Sequence, residues 1–305
     1  MIPTKPSART PSTKRNSSSQ SRESSVSVPT QAERAKKFLE LHHGPRILVL
    51  PNAWDVASAR IFEDAGFPAI ATSSAAVANS LGYPDGQKIS RDEMLEVVAR
   101  IVRAVSVPVT ADMEAGYGNT PEDLAKTAVA IVESGAVGCN IEDCPSEGSL
   151  ELFPVALQQQ KLCAMLEAAE KHGVHLVINA RTDVFLEEIG EPATRAERTI
   201  ERLNAYRDAG AESLFAPGVK DPDTIAKIVR GVRGPLNILA TAGTPSVAEL
   251  EKLGVARISV GSGPMRACMG LTQRIAKQIR DHGVFDLMTQ GAMTYTEANR
   301  LLTKK

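Results

Sequence analysis

The chain contains no run of 18 apolar residues and no apolar h-region near Met1, so neither a membrane-spanning helix nor a secretory leader is expected. Its four cysteines, Cys139, Cys144, Cys163 and Cys268, form no C-x-x-C pair and no zinc-ribbon spacing. That pattern excludes a thiolate zinc site and points to reduced thiols in a cytoplasmic protein. The formal net charge is only -1 over 305 residues, which argues against a nucleic-acid partner or a polybasic membrane surface. Histidine is scarce, with five in the chain: His42, His43, His172, His175 and His282. There is one tryptophan, Trp54, which reads as core. A G-x-G-x-x-G turn is also missing: the first apolar run is followed by PNAWD instead, so a dinucleotide-binding doubly wound sheet is not expected.

What is present is a 43% hydrophobic chain with two compositions. Residues 1–30 hold nine serines and five Lys or Arg against a single acid, Glu23, and reads as a solvated, disordered tail. An Arg- and Ser-rich, acid-poor start is also the composition of a mitochondrial transit peptide, but no apolar helical face accompanies it. From Gln31 onward short apolar runs alternate with amphipathic helical patterns. The runs are Ile47–Pro51, Ala69–Ser74, Val107–Glu114, Val137–Asp143, Leu176–Asp183, Ser213–Pro217, Asn237–Thr241 and Arg257–Gly261. Several helices stop at a glycine, as in Ser134-Gly135 and Leu253-Gly254. Eight strands joined by helical crossovers over about 220 residues predict a (β/α)8 TIM barrel across residues 31–262. Residues 263–305 supply more helices than a barrel needs. They are expected to pack across the barrel or on a neighbouring subunit, which implies a homo-oligomer.

In such a barrel the chemistry sits at the carboxyl ends of the strands. The most informative end is Thr110 to Asn119, TADMEAGYGN. Asp112 and Glu114 lie two apart, so on a strand both carboxylates face the same way. Gly116 and Gly118 then let the backbone turn sharply. Glu142 arrives on the next strand, and Asp85 comes from the loop LGYPDG. Several carboxylates at one rim repel unless a cation or a shared proton resolves the conflict. The choice is a rim of solvated acids or a metal site. Without imidazole or thiolate, a metal there would be Mg2+ (or Mn2+). Arg181 could grip an anionic substrate with its planar fork, or be taken up by Asp183 or Glu142. Ser73 and Ser74 offer hydroxyl and backbone donors to a second anionic group, or are ordinary turn serines. Cys144 lacks a neighbouring histidine to activate it and reads as a passive thiol.

Four segments together, TADMEAGYGN, NIED at Asn140 to Asp143, INARTD at Ile178 to Asp183 and SLGYPDG at Ser80 to Gly86, resemble the isocitrate lyase and phosphoenolpyruvate mutase superfamily. The resemblance covers about residues 45–265. It implies a (β/α)8 barrel, often with a terminal helix swapped within a homodimer or homotetramer, that binds Mg2+. The implied reaction is a carbon–carbon bond lyase acting on a small 2-hydroxy or 2-oxo carboxylate through a metal-stabilised enolate. Residue by residue, Asp85 corresponds to the superfamily's active-site aspartate. Asp112 and Glu114 correspond to the pair that holds magnesium, directly or through water. Glu142 matches the glutamate of its E-D motif and Arg181 the arginine of its A-R motif. Ser73, with the next backbone amide, matches the grip on a substrate carboxylate, and Ser74 stands where glycine is usual.

The loop after Asp143, EDCPSEGSLELFP, departs from the superfamily. It has neither the K-K/R-C-G-H of the lyases nor the lysines and asparagine of the phosphonomutases. Three alternatives therefore accompany the lyase: a phosphoenolpyruvate phosphonomutase-like enzyme, an oxaloacetate-type hydrolase, and a metabolite-binding barrel without turnover.

Overall fold

The computed structural model describes residues 29–145, 148–149 and 151–303. The tail expected at residues 1–30 falls outside these apart from its last two residues. Nine short strands make one parallel sheet: β1 (Leu48–Leu50), β2 (Asn52–Ala53), β3 (Ile70–Thr72), β4 (Val109–Asp112), β5 (Gly138–Glu142), β6 (Val177–Arg181), β7 (Ser213–Phe215), β8 (Leu236–Leu239) and β9 (Arg257–Ser259). Their order is β1-β9-β8-β7-β6-β5-β4-β3-β2. The two edge strands are halves of one strand, separated only by Pro51, whose ring removes a ladder N–H. β1 pairs with β9 and β2 with β3, while the Pro51 carbonyl accepts the Ala71 N–H at 2.9 Å. Eight strands thus close the expected (β/α)8 barrel, and each expected apolar run contains one of them.

The helices are α1 (Gln31–Leu41), α2 (Val56–Asp64), α3 (Ser74–Ser80), α4 (Arg91–Ala104), α5 (Pro121–Ser134), α6 (Val155–Lys171), α7 (Arg195–Asp208), α8 (Pro222–Gly231), α9 (Val247–Leu253), α10 (Gly263–His282), α11 (Asp286–Thr289) and α12 (Tyr295–Thr303). Their apolar faces explain their docking. In α4, Met94, Val98 and Ile101 recur at helical spacing, and all three are fully buried. Caps fix where helices begin, as Thr120 and Asp123 do reciprocally at α5. The one helix with no counterpart in the apolar pattern is α3. Its run SAAVANS has no charged face, yet the Ser73 side chain caps it through the Ala76 N–H. The surplus helices begin at α10; the last, α12, folds back against α2 with Leu301 buried. No helix among the described residues is long and apolar enough to cross a membrane.

Strand alternation separates two environments. On β5, Cys139 and Ile141 join the apolar layer under the helices, while Asn140 points into the barrel. The lumen is polar and cross-linked: Asn179 donates to Asn140 Oδ1 at 2.8 Å, Asn52 to the Thr72 carbonyl at 2.7 Å, and Arg257 Nη2 to Asn140 Oδ1 at 3.3 Å. At the amino-terminal end α1 forms a floor. Phe38 meets the His42 ring edge-on with centroids 4.7 Å apart, and the Arg257 guanidinium lies 6.0 Å from the Phe38 centroid. Gly138 is required by that floor, because a Cβ there would sit 2.7 Å from the Val177 carbonyl oxygen and 2.9 Å from Phe38.

Candidate active site

β4 runs only to Asp112, and the chain then turns through Met113–Tyr117. This corrects the expectation that Asp112 and Glu114 share one strand face. Glu114 instead adopts a left-handed conformation, φ 50°, as does Tyr117 at φ 57°. Gly116, at φ 98°, closes the turn where a Cβ would meet Leu124 at 2.1 Å. Asp112 is held from three sides. Ser74 donates to Oδ2 through its backbone N–H at 2.9 Å and its hydroxyl at 2.8 Å, and Asn140 Nδ2 donates to Oδ1 at 3.3 Å.

Glu114 Oε2 accepts the Gln87 N–H at 2.6 Å, and Gln87 Oε1 accepts the Tyr117 N–H at 2.8 Å. Gln87 therefore clips the Asp85 loop onto the turn. Burial, with Asp85 and Asp112 nearby, pushes the Glu114 carboxyl up to about 7. Glu142 ends β5 beside it, and burial likewise drives its carboxyl well above the usual range, against the opposing pull of Arg181.

Arg181, at the end of β6, is paired with both acids that its sequence context offered. Its Nη1 lies 2.7 Å from Glu142 Oε2, and it grips Asp183 with two bonds, Nε to Oδ1 at 2.6 Å and Nη2 to Oδ2 at 3.0 Å. Asp143, the residue after Glu142, turns the other way. Arg202 Nε and the Tyr206 hydroxyl each donate to its Oδ2 at 2.7 Å, and the Asp183 N–H donates to Oδ1 at 3.0 Å. One step along the strand reverses the face, so Glu142 serves the cavity and Asp143 the scaffold.

These groups surround a small cavity of about 90 Å³ at the carboxyl end of the barrel. Ser74, Asp85, Glu114, Glu142 and Arg181 line it, as sequence reasoning proposed, together with Asp183, Glu187, Gln87, Cys144 and Leu186. Two candidate residues are not on its wall. Ser73 caps α3, its Oγ accepting the Ala76 N–H at 3.4 Å, and is not among the residues that line the cavity. Asp112 lies behind the wall, a buried residue whose carboxylate is joined to the lining through Ser74. Gln87 and Glu187 were missed. A glutamine after Gly86 reads as a loop residue, and only the i, i+4 relation of Glu187 to Asp183 hinted at a shared turn.

Five carboxylates, those of Asp85, Glu114, Glu142, Asp183 and Glu187, thus face one guanidinium. Among the described residues no three His, Cys, Asp or Glu side chains already form a metal-binding cluster. The donor set is nevertheless all oxygen. That suits Mg2+, which is commonly held by one or two carboxylates and keeps several waters. The crowding of carboxylates, which adds to burial in raising the Glu114 carboxyl, is what such a cation would offset.

The family model described as phosphoenolpyruvate phosphomutase matches residues 38–280. A crystal structure from Burkholderia cenocepacia J2315, described as a candidate lyase/mutase, superposes with a TM-score of 0.83 at 38% identity, covering 90% of this chain and 97% of that one. Oxaloacetate decarboxylase 2 of Pseudomonas putida is 31% identical over 232 residues, 75% of this chain and 74% of that protein. The structure of 2,3-dimethylmalate lyase, a member of the PEP mutase/isocitrate lyase superfamily, superposes with a TM-score of 0.77 at 25% identity, covering 88% of this chain and 94% of that one. The barrel, the acid-lined mouth and these likenesses converge: the chain belongs to the phosphoenolpyruvate phosphomutase family, within the isocitrate lyase/PEP mutase superfamily of lyases and mutases.

Proposed function

We propose that the protein is a Mg2+-dependent carbon–carbon lyase that cleaves a small 2-hydroxy or 2-oxo carboxylate through an enolate. The observation that carries this reading is the imbalance at the cavity, five carboxylates against one guanidinium. An anionic acid entering such a site alone meets net repulsion, which a divalent cation lying between the acid and the carboxylates offsets. The cavity, about 90 Å³, is far below the roughly 300–1,000 Å³ of drug-sized sites, which suits an acid of few atoms.

Asp112 and Glu114 are the residues that would hold the cation, directly or through water. When bound, it supplies Lewis-acid stabilisation of negative charge on the substrate oxygens. Arg181 orients the substrate carboxylate, with Asp183 fixing the plane of its guanidinium. A carboxylate reaching Arg181 Nη1 displaces Glu142 Oε2 from it, and the buried Glu142, without its cation, takes up a proton from solvent. That proton is then available to the carbanionic carbon formed as the bond breaks, and Asp85 is placed to take the hydroxyl proton. Ser74, through its own backbone N–H and its hydroxyl, keeps Asp112 in place behind the cavity wall. The exposed apolar side chains of the carboxyl-terminal helices, including Met269 at 54% and Phe285 at 53%, support a homodimer or homotetramer, which light scattering would measure.

The test is turnover of 2-methylisocitrate, 2,3-dimethylmalate, oxaloacetate and phosphonopyruvate with Mg2+, followed by mass spectrometry. Cleavage of one of the first three, lost on adding EDTA, is expected. Conversion of phosphonopyruvate alone would establish a mutase instead. No turnover, with thermal protection by one acid, would establish a binding protein.

A further inference from the structure

Lys161 of α6 is 0% exposed, lies outside every motif and does not line the cavity. Among the described residues its Nζ makes one hydrogen bond, to the Ala115 carbonyl at 3.2 Å, and no ion pair. The Phe153 ring covers the ammonium, its centroid 3.8 Å away. Burial of the ammonium is unfavourable even with the Asp143 and Glu142 carboxylates acting on it, because its one hydrogen-bond partner is neutral. The reason for a lysine here has to lie in what it holds.

It holds the turn that carries Glu114. Left-handed Glu114 and Tyr117 persist only where the surroundings over-determine them. Every carbonyl from Met113 to Gly116 is engaged: by the Gly116 N–H at 2.8 Å, the Glu142 N–H at 2.9 Å, Lys161, and the Thr127 hydroxyl at 2.8 Å. Of these donors Lys161 alone carries charge, and it alone comes from α6, the helix that begins where the loop after β5 ends. The far end of that loop is itself pinned. The Phe153 N–H donates to the Asp143 carbonyl at 2.8 Å, and Arg202 Nη2 donates to the Phe153 carbonyl at 2.5 Å.

We infer that Lys161 is a positioning residue: its ammonium holds the Ala115 carbonyl so that Glu114 keeps its carboxylate at the cavity, and the Phe153 ring ties this turn to the end of the loop after β5. The inference rests on the reading of Glu114 as a site carboxylate. The test is Lys161→Met, close in length and without charge, in the full chain, read by amide hydrogen exchange, melting temperature and kinetics. Melting within about 3 °C of wild type is expected. Exchange across residues 113–118 should rise about tenfold or more while α5 and α6 keep their protection. Turnover should fall about tenfold in kcat with little change in KM, and the rise in melting temperature on adding Mg2+ alone should shrink. Lys161→Gln, which returns a neutral donor, should recover part of the protection at the turn. It is the variant to read if the methionine protein does not fold. Wild-type exchange at 113–118 would overturn the inference, as would faster exchange spread evenly over the barrel. Failure of the wild-type protein to turn over any acid would refute the functional reading while leaving the exchange result to decide the role of Lys161.

Discussion

The two ends of the barrel are built on opposite plans. At the mouth, five carboxylates share one arginine, three non-glycine residues (Gln87, Glu114 and Tyr117) hold left-handed backbone, and burial drives carboxyls upward. At the floor, the buried cation Arg257 lies against an aromatic ring and an uncharged histidine, and burial lowers it to about 9. Its nearest polar contacts are neutral, and the apolar Phe38 fills the space beneath. The mouth gathers like charges and left-handed backbone around a cavity, whereas the floor buries a single cation among neutral groups in a packed layer.

Three substitutions would break or sharpen this contrast. The largest effect is expected at the mouth. Asp112→Asn keeps the volume but removes the charge held by Ser74 and Asn140, and should reduce kcat/KM roughly ten-thousandfold, about 5 kcal/mol. Melting should shift by only a few degrees, and calorimetry beside the rate assay checks both; a large loss of stability would erase the distinction between the two ends. Next, Phe38→Ala should empty the floor and cost about 4 kcal/mol in denaturant unfolding, with turnover per folded molecule unchanged.

The smallest effect concerns pH. His42 donates Nδ1–H to the Phe38 carbonyl at 2.8 Å, which leaves Nε2 to accept from Arg257 Nη1 at 3.3 Å, so the ring has to be neutral. Burial, reinforced by Arg257, lowers it to about 3. Above its unfolded value of roughly 6.5 both states are neutral and the residue contributes nothing to the pH dependence. Below that, the unfolded chain takes up a proton that the folded one refuses, so stability declines from about pH 6.5 towards 3. Between pH 6.5 and 5 the loss is about 2 kcal/mol. His42→Asn should flatten that limb in unfolding titrations at the two pH values, and an unchanged slope would show that the floor is not what limits acid stability.

Most of the fold was legible because its signals were redundant. Each strand was an apolar run, each was followed by an amphipathic helix, and several helices ended on a glycine. α3 escaped because seven small residues without a charged face carry no helical period, only a serine cap. At the site, residue types and chain order exposed Asp85, Glu114, Glu142 and Arg181, since acids and an arginine at strand ends need partners. Side-chain direction was less visible. Nothing in TADME announces that the strand stops at Asp112, and Glu142-Asp143 does not say which of the pair turns inward. Lys161 was invisible for a different reason. A lysine on an amphipathic helix reads as solvent-facing, and only the three-dimensional meeting of α6 with the turn after β4 gives it a place.

The floor also constrains the order in which the chain can be completed. α1 precedes every strand, yet its contacts lie far along the sequence: Gln31 donates to the carbonyls of Val132 and Ala136, and His42 meets Arg257 across 215 positions. None of these bonds can form until distant strands have arrived, and closing so long a loop is the slow part of folding such a chain. The helix that is synthesised before the barrel makes the last of these contacts, His42 to Arg257, only once the final strand is in place.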